Sequence, residues 1–568
     1  MGSGRALIGA ALGQQLLYLL ALVSIVLVPI WWIEFVPTVD GSVHLYIVHI
    51  MRSYASSPML QEYFTWNPNI EPNSAIYLLF YGLSEVFSLP VAEKVFISAW
   101  AFLYALAALY AARAVHAPTA FVSALIVPTM FTQLLHMGFY NYNLSIVVFL
   151  FVFGWWFRHR RTLQMRGYVA FGLMSLALVC THLVGLLVLM ITCAGVLAAD
   201  LIGDWYQRRR PPLASLLITV RRGLLLLLAW APALIIVGSF LVRYGTSEPL
   251  EKPHDIARLL GYLASFAHFY SFSKNELLLF APIILLIVGG VAFRLYQWLV
   301  RRAVDNGDRL ILALALLVLV YLFIPLASRG VPVAERLLPF IFALVVLSLS
   351  PLAAHLVARR AIVVVAIVTT LATTGYRLAV YHAYQRMYDD YRSLASSLES
   401  GRTLLPIEYN YQAMHLPWGE MTWRVNPPLH FGTRVALETG LIVVNEALLS
   451  PHAYGYFPIV YRAAYDGHAK VDMYGERQPQ MGAMPAYEAC TPGQVDYVIA
   501  WREDDIPSIP EDIYDARTHA LIQAGFRPIA TSQPLGWAKL YARDTSRGDW
   551  LAEDMVICRA SKAAPNGH

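Results

Sequence analysis

A single carboxylate stands where a long apolar segment gives out. Residues 6 to 33 are almost uncharged, and at about 1.5 Å per helical residue they are long enough to cross a hydrocarbon core of about 30 Å. The run Val36-Pro37-Thr38-Val39-Asp40-Gly41-Ser42-Val43 then breaks the helix and puts Asp40 at its mouth. Beyond it, His44, Tyr46, His49 and Arg52 are interleaved with Val43, Ile47, Ile50 and Met51, which suits a helix lying along the interface better than a second span. His44 falls one turn after Asp40, so the two could share a helix face. An Asp and a His so placed could ligate a divalent ion, or the imidazole could orient the carboxylate or a phosphate group. Asp40 is also a good N-cap for the helix that follows it.

Other polar residues interrupt apolar text. Glu335 and Arg336 lie near the start of a span, a costly place for charge unless it faces a cavity or a partner. His136, Asn141 and Asn143 bracket a turn between two spans, and His182 divides two apolar halves; these could line one external cavity, although turn chemistry accounts for the Asn residues equally well. Tyr and Trp, 33 and 14 of them, fit interfacial belts and would also serve a groove that stacks rings on its ligand.

Such residues need a scaffold, and composition defines it. With 58% apolar and 14% charged residues over 568 positions, the chain is a polytopic α-helical membrane protein, and one soluble core is excluded. The net charge of +5 gives no reason to expect a nucleic-acid partner, because the Arg surplus sits in short loops between spans. Arg158-His159-Arg160-Arg161, Arg208-Arg209-Arg210, Arg221-Arg222, Arg301-Arg302 and Arg359-Arg360 are all placed in the cytoplasm by the positive-inside rule. Spans are expected near 6–33, 94–113, 118–136, 140–157, 167–182, 184–202, 223–242, 276–299, 309–327, 334–358 and 361–380, about eleven crossings that leave the C-terminus outside. The first has no small-residue cleavage site and is kept as an anchor. Residues 74 to 89 are short, carry Glu85 and end at Pro90, so they are expected to be re-entrant or interfacial; a full span there would send the basic clusters outside.

From about residue 381 the composition turns to shorter apolar runs. Residues 404–407, 441–444 and 495–501 are expected to be buried strands, 513–524 a helix, and 526–532 with 537–542 a further strand pair, giving an extracytoplasmic α/β domain over 381–568. The membrane domain would be 1–380, with a first external loop of about 34–93. Cys490 and Cys558 lie in the outer part and could pair in an oxidising compartment, with two free buried thiols as the alternative; Cys180 and Cys193 lie in spans.

This layout resembles the GT-C superfamily of integral-membrane glycosyltransferases, in particular the bacterial members that use polyprenyl-phosphate sugars. The resemblance covers the whole chain: an opening span, an external loop with an acidic residue at its start, many further spans and a terminal external domain. Trp66-Asn67 through Glu71-Pro72-Asn73, Gly138-Phe139-Tyr140-Asn141-Tyr142-Asn143 and Glu335-Arg336-Leu337-Leu338-Pro339-Phe340 are also similar to patches of bacterial members. Many members carry an acidic pair where this chain has Asp40 followed by Gly41, and Glu34 stands six residues earlier.

The resemblance implies that a sugar leaves a polyprenyl phosphate for an acceptor hydroxyl or amine on a glycan, lipid or protein, with inversion at the anomeric carbon. Asp40 would be the general base, acting late because a free Asp has a pKa of about 3.9. The leaving phosphate needs positive charge, and without a metal Arg must supply it: Arg336 and Arg329 flank one outer loop, and Arg258, beside Lys252, His254 and Asp255, lies in the larger loop 243–275. Glu335, His44, His136, Asn141 and Asn143 are the further donor-binding candidates. No cofactor is implied, a divalent ion on Asp40 and His44 being the weaker alternative. The location implied is the bacterial plasma membrane. A transporter or flippase for lipid-linked sugars, or a surface-polysaccharide polymerase or ligase, are the competing classes; against transport, the sequence has no pair of related halves.

Overall fold

Apolar runs become helices in the computed structural model, which describes residues 2–69, 71–206, 211–244, 255–301, 305–328, 331–409, 415–416, 419–420, 425–444, 446–467, 487–488, 490–504 and 525–544. Among these, eight helices are long and apolar enough to cross a membrane: Gly13–Trp32, Leu89–Val115, Tyr140–His159, Leu183–Trp205, Pro212–Tyr244, Lys274–Gln297, Ala334–Ala354 and Leu356–Ser397. Shorter apolar helices cover Ala75–Ser84, Ala120–Thr129, Met165–Thr181 and Arg309–Phe323. The protein is an integral membrane protein. Ala75–Ser84, at about 1.5 Å per residue, is roughly half as long as a hydrocarbon core is thick.

One stretch departs from its expected span. Where one crossing is expected over 118–136, the backbone forms a 3-10 helix, Ala117–Thr129, and then a four-residue helix, Gln133–His136. Pro128 lies inside the first and has no N–H to give to a regular helical ladder. The expected span 334–358 is matched by Ala334–Ala354, in which the helix Leu338–Ser348 lies between the 3-10 turns Ala334–Leu337 and Ser350–Ala354. By contrast the division near residue 183 is as expected: His182 is extended, with φ −167° and ψ 135°, between Met165–Thr181 and the helix starting at Leu183.

The chain clusters into two compact units. The first comprises residues 1–32, 71–76 and 94–379, the second 33–70, 77–93 and 380–568. In the first, the helices Leu183–Tyr206 and Arg309–Phe323 approach so closely at Gly195 that a Cβ there would lie 2.4 Å from the Ala313 Cα. Small residues are what such contacts between apolar helices require. At the far end of the same pair, the buried Asp200 accepts from Arg160 Nε at 3.0 Å, Arg161 at 2.8 Å and Arg309 Nε at 2.6 Å.

The second unit holds a five-stranded sheet in the order Phe526–Thr531, Ala538–Arg543, Tyr497–Trp501, Thr403–Glu408, Ile442–Val443. Thr403–Glu408 is parallel to both neighbours, with Leu404 opposite Tyr497, Glu408 opposite Trp501 and Thr403 opposite Ile442; the outer pairs are antiparallel. All five expected strands are therefore present, while the helix expected at 513–524 falls outside the described residues. The buried Asp390 fastens the outer hairpin by accepting from Ser532 Oγ at 2.6 Å and from the N–H groups of Leu535, Gly536 and Trp537 at 2.5, 3.1 and 3.3 Å. Cys490 is disulfide-bonded and Cys180 and Cys193 are free; Cys558 falls outside the described residues.

The helix after Asp40, Gly41–Ser53, is not the half-exposed element its polar and apolar interleaving suggests. Val43, His44, Leu45, Tyr46, Ile47, Val48 and Ile50 are all buried by protein, and of the helix only Arg52 is exposed. It packs on the helix Phe431–Thr439 and the strand Ile459–Tyr461, which itself pairs antiparallel with Phe64–Trp66. Its polar side chains are used inside: Tyr46 donates to the Leu441 carbonyl at 2.9 Å and accepts from Val443 N at 3.1 Å, joining helix to sheet edge.

Candidate functional site around Asp40

The segment leading to Asp40 is held at several points. Gln385 Oε1 accepts from the N–H groups of Glu34 and Phe35 at 2.9 and 2.7 Å, and the Phe35 ring stacks on Tyr388 with centroids 4.7 Å apart. Asp40 is followed at once by the helix, and its carbonyl accepts from His44 N at 3.0 Å. Its side chain, however, forms no capping hydrogen bond to that helix. The carboxylate is 16% exposed and is turned instead toward His430, with Oδ1 3.8 Å from Nε2.

His430 is positioned by the sequence around it. Pro427-Pro428 open a 3-10 turn, Pro427–His430, and His430 leads into the helix Phe431–Thr439. Proline is well suited to such a start because its φ is already near the helical value. The helix lies so close to the strand Thr403–Glu408 that a Cβ at Gly432 would be 2.4 Å from Pro406 Cβ, and Gly440, at φ +73°, ends it in the left-handed conformation glycine tolerates best. His430 Nδ1 lies 3.1 Å from Glu446 Oε2, and that oxygen also accepts the Thr433 hydroxyl at 2.9 Å. Glu446 is set by Tyr461, whose hydroxyl accepts from Glu446 N at 3.1 Å and donates to the Val443 carbonyl at 2.7 Å.

A third carboxylate closes the group. Glu408, 6% exposed, ends the central parallel strand; Asn426 Nδ2 donates to its Oε1 at 3.1 Å, while Oε2 is buried without a partner among the described residues. Burial pushes the Glu408 carboxyl up to about 7, with Asn426 and His430 opposing the shift. For His430, burial disfavours the charged ring, but Glu446 first, then Asp40 and Glu408, together raise it above the ordinary value. Burial likewise disfavours ionised Glu446, yet His430, Thr433 and the Leu448 N–H hold it below the usual carboxylate range. These carboxylates favour the protonated form of the ring that lies between Glu446 and Asp40.

His44 is buried one turn beyond Asp40, with Nδ1 2.9 Å from the Tyr77 hydroxyl and its ring edge-on to Tyr77 and Phe457. Among the described residues no group of three His, Cys, Asp or Glu side chains is arranged to hold a metal ion.

The remaining candidates lie in the first unit, and each has a local setting. Arg336 lies in the turn Ala334–Leu337; its carbonyl accepts the Tyr142 hydroxyl at 2.7 Å, its guanidinium is 4.8 Å from the Phe139 ring centroid, and Nη1 is 3.3 Å from His182 Nε2. Since His182 Nδ1 also lies 3.2 Å from the Val184 N–H, a neutral imidazole can accept from only one of the two. Glu335 is buried in the same turn. Asn141 is committed to its neighbours, accepting from Ile76 N at 3.0 Å and donating to the Asn73 carbonyl. Asn143 donates to the Phe139 carbonyl at 2.8 Å, and its own carbonyl accepts from Trp100 Nε1 at 3.0 Å. The buried His136 has Nδ1 2.8 Å from Ser271 Oγ and 3.0 Å from the Thr132 carbonyl. Arg258 is exposed and donates from Nε to the Tyr262 hydroxyl at 2.8 Å. Arg329, Lys252 and His254 fall outside the described residues. His430, Glu446 and Glu408 carry no local signal: they are ordinary polar residues of a turn, a loop and a strand end, far from Asp40 in the chain.

The fold is similar to that of ArnT, as two solved structures show. ArnT from Cupriavidus metallidurans in the apo state is similar at a TM-score of 0.52, with 11% sequence identity over 94% of this chain and 99% of that one. The structure of that protein bound to undecaprenyl phosphate gives 0.50, with 12% identity over 94% and 98%. No protein-family model and no curated protein sequence matches the chain.

Proposed function

We propose that the chain is an inverting glycosyltransferase that moves a sugar from a polyprenyl phosphate to an acceptor hydroxyl or amine at the outer face of the bacterial plasma membrane, with Asp40 as general base. The observation that carries this reading is the setting of Asp40: a carboxylate that leaves its own helix uncapped and is held among buried polar groups. The GT-C fold supports it, and the solved relative that holds undecaprenyl phosphate makes a polyprenyl-phosphate donor the natural first choice.

In the reaction, the bond between the anomeric carbon and the lipid-phosphate oxygen breaks, and its electron pair stays on the phosphate. The acceptor atom bonds to the anomeric carbon from the opposite face and gives its proton to Asp40. An ionised Asp is a weak base toward a resting hydroxyl, so transfer comes late, once positive charge develops on the attacking atom. Arg336 is the proposed ligand of the departing phosphate, which it can meet with paired N–H donors. The other polar candidates of the first unit fit better as supports of the backbone, since Asn141, Asn143 and His136 already serve it.

The test uses purified chain in liposomes with polyprenyl-phosphate sugars carrying a radiolabelled sugar. Asp40→Asn should abolish transfer while insertion and thermal stability stay near wild type. Wild-type turnover by that variant would rule Asp40 out as the base.

A further inference from the structure

The carboxylate of Asp40 is aligned with a histidine that no part of the reaction above requires. Nδ1 of His430 is engaged by Glu446 at 3.1 Å, so the ring cannot swing away, and Nε2 is left directed at Asp40 Oδ1 at 3.8 Å. The Thr433 hydroxyl donates to the same Glu446 oxygen, and the Tyr461 hydroxyl accepts from the Glu446 backbone N–H, so hydrogen bonds run continuously from sheet to imidazole. The charges facing the ring come from three elements: Glu446 from the loop before Ala447–Leu449, Asp40 from the turn before Gly41–Ser53, and Glu408 from the end of Thr403–Glu408. On the histidine's own helix, Arg434 is drawn elsewhere, to Glu93 at 3.4 Å and Glu438 at 3.6 Å.

A buried histidine oriented by one carboxylate and facing another does more than fill space, because each partner constrains which ring nitrogen presents a proton and where. At 3.8 Å the contact with Asp40 is an ion-pair distance, beyond hydrogen-bond reach. We propose that His430 is a positioning residue for Asp40: clamped by Glu446 and Thr433, it fixes the direction of the Asp40 carboxylate for the acceptor. No proton passes through the ring. The acceptor's proton ends on Asp40, and the His430 proton stays between Asp40 and Glu446.

This inference rests on the reading of Asp40 as the base, and the experiment separates the two. His430→Gln, Glu446→Gln and Thr433→Val are compared with Asp40→Asn in the liposome assay, each with its thermal stability and a kcat/KM profile across pH. His430→Gln and Glu446→Gln should lower kcat by roughly 10- to 100-fold, as loss of a partner that orients a working group does, with donor and acceptor KM little changed. The acid limb of the profile should move up by about one pH unit, because a carboxylate that loses a neighbouring cation protonates more easily. Thr433→Val should show a smaller change in the same direction. If His430→Gln does not accumulate, the near-isosteric Glu446→Gln carries the test. Losses that track only the amount of folded protein, with the acid limb where it was, would overturn the proposal. Full turnover by Asp40→Asn would instead sink the general-base reading itself, whatever the His430 variants do.

Discussion

Asp40 is legible in the sequence because an isolated carboxylate directly after an uncharged run has few reasons to be there. Its surroundings are not legible. His430, Glu446 and Glu408 reach it only because a helix, a strand end and a loop from hundreds of residues later fold onto the same spot, and no spacing rule spans that separation. Two predictions belong at this scale. Arg336→Ala should raise the donor KM by roughly 10- to 100-fold, the worth of a charge-assisted hydrogen bond of about 1.5–3 kcal/mol, with thermal stability largely kept; a variant that simply fails to accumulate would make Arg336 a structural residue. Glu408 gives a pH dependence. Its pKa is raised in the folded protein from 4.5 to about 7 by burial, so its contribution to stability is fully present below about 4.5 and is lost as the pH rises through 7. Ionising it at pH 8 costs about 3 kcal/mol, at roughly 1.36 kcal/mol for each tenfold change in the ionisation equilibrium. Glu408→Gln should therefore raise the melting temperature relative to wild type at pH 8.5 much more than at pH 5.5, and equal differences at both would refute the assignment.

Among the elements, strands with strong β-branched or aromatic runs, such as Tyr497–Trp501, announce themselves, as does the break at His182. The helix Gly41–Ser53 misleads because its polar residues look like a solvated face, whereas Tyr46 and His44 find hydroxyl and carbonyl partners inside. Periodicity reports which residues are polar; it is silent on whether the fold brings partners to them. Residues 118–136 mislead for a different reason: hydropathy measures apolar content and cannot see that the backbone there takes a 3-10 form. Helix contacts are testable directly. At Gly195 a side chain would collide with the Ala313 backbone, so Gly195→Leu should force the two helices apart and lower the melting temperature in detergent by several degrees, in line with about 1–3 kcal/mol for overpacking. Gly13, with nothing within 4 Å of its Cβ position, is the control, and Gly13→Leu should leave the melting temperature unchanged.

For the molecule as a whole, composition and patterning state the membrane class, while the chemistry must be argued from the site. If Asp40 acts as a base and arginine takes the phosphate, transfer should survive a chelator. Turnover in EDTA should match that in buffer, whereas a loss reversed by added divalent cation would shift the assignment toward metal-assisted transfer. The four-residue cluster at Asp200 has its own bearing on how the protein meets its surroundings. Arg160, Arg161 and Arg309 look, in the sequence, like free positive charge available to anionic headgroups, but all three converge on one buried carboxylate. Attraction to acidic lipids at that surface should consequently be weaker than an arginine count suggests, and replacing Asp200 by Asn would unmask it, making vesicle association at that face stronger and more sensitive to salt.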